Sequence, residues 1–259
     1  MFKQLVTLST EAHRSLRFQP NQPYHFAADQ GLIPLAAGEI TRVAREMVVL
    51  FPEQGGPPAA LAGLKPDQNL YVNPRGQWIG RYIPAHIRRY PFMLAYANTA
   101  EGEPRLAIQL DIEAPHFSNT DGQPLLTEKG EATELLQRVQ KILLGLQHEM
   151  QASEALVREL EALDLLVPRA IGVQPQGQEA PTRVSGFRVV DTEKLAALPA
   201  EQFGKLHASG ALMLIHAHLI SLSNLSDGWL TKAAATQASG EVDVEELFGG
   251  KDDTLKFNF

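Results

Sequence analysis

The sequence predicts an α+β protein: an antiparallel sheet with a short helix, followed by a mostly helical half containing a β-hairpin. Three observations carry that prediction. Short β-branched or alternating runs separated by Gly and Pro turns dominate residues 1–126. An apolar stripe at three- and four-residue spacing then runs through residues 131–167. Beyond it, two further β-branched runs flank a polar loop, and helical segments continue as far as residue 230.

Pro34 opens LAAGEITRVAREM, in which Ile40, Val43 and Met47 share one face of a short helix. VVLFP is a strand that stops at Pro52, and after the EQGGPP turn residues 59–64, 69–72 and 77–83 form strand-like pieces separated by KPDQ and NPRG turns. That spacing predicts an antiparallel meander. In residues 106–113, Leu106, Ile108, Leu110 and Ile112 alternate with polar or small residues, which places Asp111 and Glu113 on one strand face. DGQPLL reads as a turn leaving the sheet.

The stripe of residues 131–167, Leu135, Val139, Ile142, Leu146, Met150, Ser153, Leu156, Leu160 and Leu163, predicts a long amphipathic helix or helix pair that Pro168 ends. Residues 169–174 and 184–190 then read as a hairpin around PQGQEAPT. Asp191 or Thr192 caps a helix at TEKLAAL, Pro199 starts another, and Gly210 separates that from ALMLIHAHLISLSNL. The last is apolar nearly all round and is expected in the middle of the helical half. Residues 231–259 read as a linker and an acidic tail. The division is therefore 1–126, β-rich; 127–230, helical with a hairpin; and 231–259, tail.

With 259 residues, 44% of them hydrophobic, the chain can bury a real core. The absence of cysteine removes disulfides, thiolate catalysis and thiolate metal sites, and suits a reducing compartment. A net charge of −7 argues against covering nucleic-acid phosphates or anionic headgroups, so no nucleic-acid partner is expected. Polar residues interrupt every apolar run near the N-terminus, so no secretory signal is read there and a cytoplasmic location is expected. The most apolar run, residues 211–222, is too short to span a bilayer.

The chemistry-bearing residues concentrate in QWIGRYIPAHIRRYPF. Pro84 there suits a helix start, so a strand would pass into a short helix carrying His86, Arg88 and Arg89 before Pro91. Two readings stand. In one, Arg81, Arg88 and Arg89 grip a carboxylate, phosphate or acidic peptide while Trp78, Tyr82 and Tyr90 supply stacking area. In the other, the aromatics are core and the arginines pair with internal carboxylates such as Glu39, Glu46, Asp111 or Glu113. A second candidate is the tail LKFNF, which sets Leu255, Phe257 and Phe259 on one face of an extended strand that could add to a sheet edge or enter a groove.

A metal reading would combine His216 or His218 with Asp111, Glu113 or Asp191, or Asp111 and Glu113 with His116. Two residues apart on a helix is about 200°, so His216 and His218 would not share an ion there and read as core or helix-contact histidines. No HExxH, GxSxG, GxxxxGK or GxGxxG motif occurs. No catalytic residue, metal ligand or cofactor is therefore assigned.

The segments PLAAGEITRVARE, QWIGRYIPAHIRRYPFMLA, LAIQLDIEAPHFS, GFRVVDTEKLAALP and SGALMLIHAHLISLSNL resemble, in order, those of the bacterial SapC family. The resemblance covers the chain to about residue 230. It implies a role connected with the cell-surface protein layer and, through relatives encoded near TonB-dependent receptors, halogenases and cupin-like oxygenases, with peptide modification. It carries over no catalytic residue. The function expected is an accessory protein that recognises a protein or peptide client. A non-haem metal enzyme and a structural or assembly subunit are the alternatives.

Overall fold

The computed structural model describes residues 1–65, 67–98, 104–173, 182–230 and 232–233. It is α+β, with antiparallel strand pairings throughout. The strands are β1 (Leu5–Thr7), β2 (Arg17–Phe18), β3 (Leu32–Pro34), β4 (Val48–Pro52), β5 (Ala59–Leu61), β6 (Phe92–Asn98), β7 (Pro104–Asp111), β8 (Phe117–Ser118), β9 (Gln123–Pro124), β10 (Leu166–Val173) and β11 (Thr182–Val190). The helices are α1 (Ile40–Val43), α2 (Ala85–Arg88), α3 (Glu134–Ala162), α4 (Thr192–Ala196), α5 (Ala200–Ser209), α6 (Ala211–Ser221) and α7 (Asn224–Asp227).

A five-stranded sheet in the order β10-β11-β4-β5-β3 carries the larger core, and a three-stranded sheet β1-β7-β6 carries a smaller one. Strands β8, β2 and β9 form a short third sheet, in which the DGQPLL segment supplies β9 instead of being a turn alone. Helix α3 serves both cores. Its N-terminal half sends Leu136 and Leu143 into the smaller cluster, and its C-terminal half sends Val157 and Leu160 into the larger.

The strand VVLFP is buried over its first four residues because it lies mid-sheet under α6. Its ladder with β11 has only the pairs Phe187–Pro52 and Arg188–Phe51, so at Val49 the strands part. Helix α6 closes the gap with side chains. His218 donates Nδ1–H to the Val49 carbonyl at 2.7 Å and accepts the Val190 N–H at Nε2 at 3.2 Å, which fixes its tautomer. Ser221 Oγ accepts the Val49 N–H at 2.9 Å. Three backbone groups beside the parted ladder, the Val49 N–H and carbonyl and the Val190 N–H, thus find the partners that buried polar groups need.

Four expectations are corrected. The pieces at 69–72 and 77–83 are not strands; one bridge, Val72–Trp78, joins them. Side chains take the backbone donors there, Asn69 Oδ1 from Tyr71 N–H and Asn73 Oδ1 from Arg75 and Gln77 N–H, so no ladder can form. The long helix ends at Ala162, before Pro168, because Asp164 turns left-handed at φ 53°, and Pro168 lies inside the edge strand β10, where a missing donor is tolerated. Helix α6 is not apolar-buried all round: Met213, His216 and Ile220 face outward. Strand β7 ends at Asp111, so Glu113 is exposed in the next turn and does not share a strand face with it. Asp191 caps α4 by accepting from Glu193 and Lys194 N–H, as its position suggested. Among the described residues no single helix is long and apolar enough to cross a membrane.

His218 predicts a pH dependence. Burial, partly offset by the Val49 carbonyl, pushes it down to about 4, so the folded chain holds it neutral where the unfolded chain would protonate it. Stability from this residue is intact above about pH 6.5 and falls by roughly 1.4 kcal/mol per pH unit as pH drops toward 4. His218→Asn should be less stable at pH 7.5 in urea titrations, yet lose stability less steeply than the native protein between pH 6.5 and 5.

Candidate functional site

The arginine-rich segment is held by carboxylates of the GEITRVARE segment. Glu39, buried between a 3₁₀ turn (Ala37–Glu39) and α1, accepts Ala36 N–H at Oε1 (3.0 Å), and at Oε2 it accepts Ala85 N–H (2.8 Å) and the Tyr82 hydroxyl (3.0 Å). Glu46, just past α1, accepts Arg81 N–H (2.8 Å) and Tyr82 N–H (2.7 Å). Two acidic side chains therefore satisfy the backbone of a turn that has no sheet neighbour. Gly80 is required beside them: a Cβ there would lie 2.8 Å from Trp78 Nε1 and 3.0 Å from a Tyr71 ring carbon.

A third carboxylate works alike. Asp111, fully buried, accepts Lys3 and Gln4 N–H (2.9 Å each) and the Tyr90 hydroxyl (2.9 Å). Burial alone would raise its pKa, but those donors outweigh it and hold the carboxyl below its ordinary value. Tyr90 is pushed up by burial and by Asp111. The same physics raises Tyr82, through burial and the neighbouring Glu39.

The consequence falls on the arginines. Glu39, Glu46 and Asp111 are occupied by backbone and tyrosine donors, and Glu113 is exposed in its turn, so the internal ion pairs that one reading required are not formed. Among the described residues Arg42, Arg45, Arg81, Arg88, Arg89 and Arg138 make no ion pair. Arg88 donates to the Ile83 carbonyl (2.9 Å) and the Tyr82 hydroxyl (3.0 Å) and stays exposed. Arg89 lies over the Phe2 ring at 5.4 Å, with Nε buried and unpartnered; burial lowers its pKa.

The six candidate residues separate. Trp78 is half-buried, donates to the Tyr82 carbonyl at 3.0 Å and stacks on Tyr71. Tyr90 is interior, stacked on Phe26 at 3.9 Å, so it is not a surface anchor. Arg81 opens toward one cleft, Arg88 and Arg89 line another groove, and Tyr82 stands on the wall between them. The tail residues Leu255, Phe257 and Phe259 lie outside the described residues.

The groove beside Arg88 and Arg89 comprises two adjoining hollows of about 330 and 400 Å³ that share both arginines and Ile142. Its apolar wall is one side of α3: Leu135, Val139, Ile142 and Leu146. Spacing alone placed that row in the core. The core takes Leu136 and Leu143 instead, about 100° round the helix, and leaves Ile142 63% exposed. Arg138 adds a further cation, while Glu149 at the other end is occupied by the Gly38 N–H at 2.8 Å. This wall, missed from the sequence, was marked by apolar residues on two adjacent faces of one helix half.

The metal alternative loses its geometry. Both His218 nitrogens are bound to backbone, His216 is exposed, and Asp111 is fully engaged. His116 is buried among Phe18, Phe26 and Tyr90, its Nδ1 without a partner, and burial pushes it down to about 4. Among the described residues no three His, Cys, Asp or Glu side chains converge on a point.

Fold and site thus define an α+β protein that displays arginines from a carboxylate-braced turn. A family model described as SapC matches residues 8–227, and the chain belongs to the SapC family. Both segments joined by Glu39 and Glu46 lie inside that match. Comparisons with curated proteins and with solved structures found no match.

The brace is testable. Glu39→Gln replaces an acceptor with a donor facing N–H groups and should cost about 2–4 kcal/mol in urea unfolding, as for other buried polar groups left mispaired. Tyr82→Phe, which leaves both Glu39 backbone bonds intact, should cost less than half of that.

Proposed function

We propose that the protein is a non-catalytic accessory protein that binds a protein or peptide client along the groove between α2 and the first half of α3. The observation that supports this reading is the pairing state of the arginines. Arg89 is half-buried with its Nε unpartnered, where a guanidinium is ordinarily matched by a carboxylate; the nearby carboxylates are taken by backbone, and the exposed Arg88 and Arg138 border the same apolar wall. A segment with apolar residues toward Leu135, Val139 and Ile142 and carboxylates toward Arg88, Arg89 and Arg138 is complementary to that surface. Charge-assisted bonds of this kind contribute about 1.5–3 kcal/mol each, and the apolar row supplies the remainder.

Binding is an equilibrium, with no bond made or broken. The link to the cell-surface layer that SapC resemblance implies makes a surface protein or a modified peptide the client class this reading favours. The cysteine-free composition suits an encounter in the reducing cytoplasm.

Ile142→Glu and Arg88→Ala both alter exposed positions and should leave the melting temperature within about 2 °C. Each should deplete the same co-purifying protein about tenfold or more when tagged native and variant proteins are isolated from the source cell and compared by quantitative mass spectrometry. Equal recovery of every partner by all three proteins would overturn the groove reading.

A further inference from the structure

The other cleft plays no part in that reading. It is an open hollow of about 700 Å³ in which Arg42, Arg45 and Arg81 stand around Ile79 and Trp229. Among the described residues these three guanidiniums make no hydrogen bond or ion pair. Lys232 also lines the wall. The opposing charge is Glu46, whose two carboxylate oxygens are turned to the Arg81 and Tyr82 N–H groups. The cleft is therefore a cationic site whose own acid faces the backbone.

The chain leaves the described structure at this place. Trp229 and Lys232 are on the cleft wall, and Ala233 is the last residue described. The C-terminal segment is complementary in charge: residues 241–253, EVDVEELFGGKDD, carry six carboxylates and one lysine, with Val242, Val244, Leu247 and Phe248 among them. Residues 234–240 can span at most roughly 25 Å when fully extended, which keeps the acidic run within reach of the cleft mouth.

We propose that residues 241–253 of the chain occupy the Arg42, Arg45 and Arg81 cleft as an intramolecular ligand. A segment tethered this closely acts at an effective concentration on the order of millimolar, so an affinity too weak to hold two molecules together suffices within one. The attraction is between exposed charges and is screened by salt. An acidic partner directed to this cleft would first have to displace the chain's own segment. The inference does not depend on the groove of α2 and α3, and it can fail while that groove still binds a client.

The test is digestion of the full chain with a glutamyl endopeptidase at low salt, monitoring release of the C-terminal fragment by intact mass. Cleavage after residues 241–246 should be about tenfold slower than in a free synthetic peptide of residues 234–259, and high salt should remove the difference. Arg42→Ser with Arg45→Ser should restore the fast rate, whereas Arg88→Ala should not. Equal rates in the native chain, the double variant and the free peptide would overturn the proposal. Protection that grows with protein concentration would overturn it too, by placing the segment on a second copy. A Ser223→Cys, Leu247→Cys pair, in a chain with no other cysteine, leaves the arginines untouched. It should cross-link within one molecule on mild oxidation, and failure to do so counts against the proposal.

Discussion

Three carboxylates that face backbone N–H groups instead of arginines hold this structure in register. A buried ionised carboxylate costs several kcal/mol unless its lone pairs are filled, and Glu39, Glu46 and Asp111 fill theirs with N–H and tyrosine O–H donors from distant parts of the chain. The turn at residues 79–85 has no strand to pair with, so without Glu39 and Glu46 its donors would have to find water. Because those acids are spent on backbone, the guanidiniums beside them form no ion pair among the described residues. One set of interactions therefore braces the turn and makes the surface basic, in a chain whose net charge is −7.

A similar substitution of side chain for ladder occurs in the large sheet. Where β4 and β11 part, His218 and Ser221 of α6 satisfy Val49 and Val190. The helix is thus bonded to the sheet as well as packed on it, which locks its rotation and explains why Met213 and Ile220 face outward despite their chemistry. Helix α3 is constrained at several levels: Leu136 and Leu143 enter the smaller core, Val157 and Leu160 the larger, and Ser153 Oγ donates to the Leu35 carbonyl at 2.9 Å. With those contacts fixed, Leu135, Val139, Ile142 and Leu146 are brought beside Arg88 and Arg89 and left partly uncovered.

Much of the fold was legible because local chemistry and tertiary packing agree. VVLFP, the β10–β11 hairpin, the caps at Asp191 and Pro199 and the break at Gly210 all lie close to where their residue types place them. The misread meander has a definite source. Residues 69–72 and 77–83 have strand composition, yet Asn69, Asn73 and Glu46 capture their donors, and side-chain capture over long sequence distances leaves no periodic trace. The site was legible only as a concentration of arginines and aromatics. Which residues face outward was not: Tyr90 went to the interior through Asp111, and the apolar wall came from a helix some fifty positions away.

The sequence by itself determined the α+β class, the SapC resemblance that the family match bears out, and the segment in which arginines and aromatics concentrate. These arise from periodicity, turn chemistry and residue type, which act over a few residues. Tertiary structure decided which carboxylates meet which donors, and hence that, among the described residues, these arginines form no ion pair. It also decided which of two apolar faces of α3 is buried. Both are outcomes of competition between distant groups for the same hydrogen bonds and the same core volume, a competition that begins only when the chain is folded.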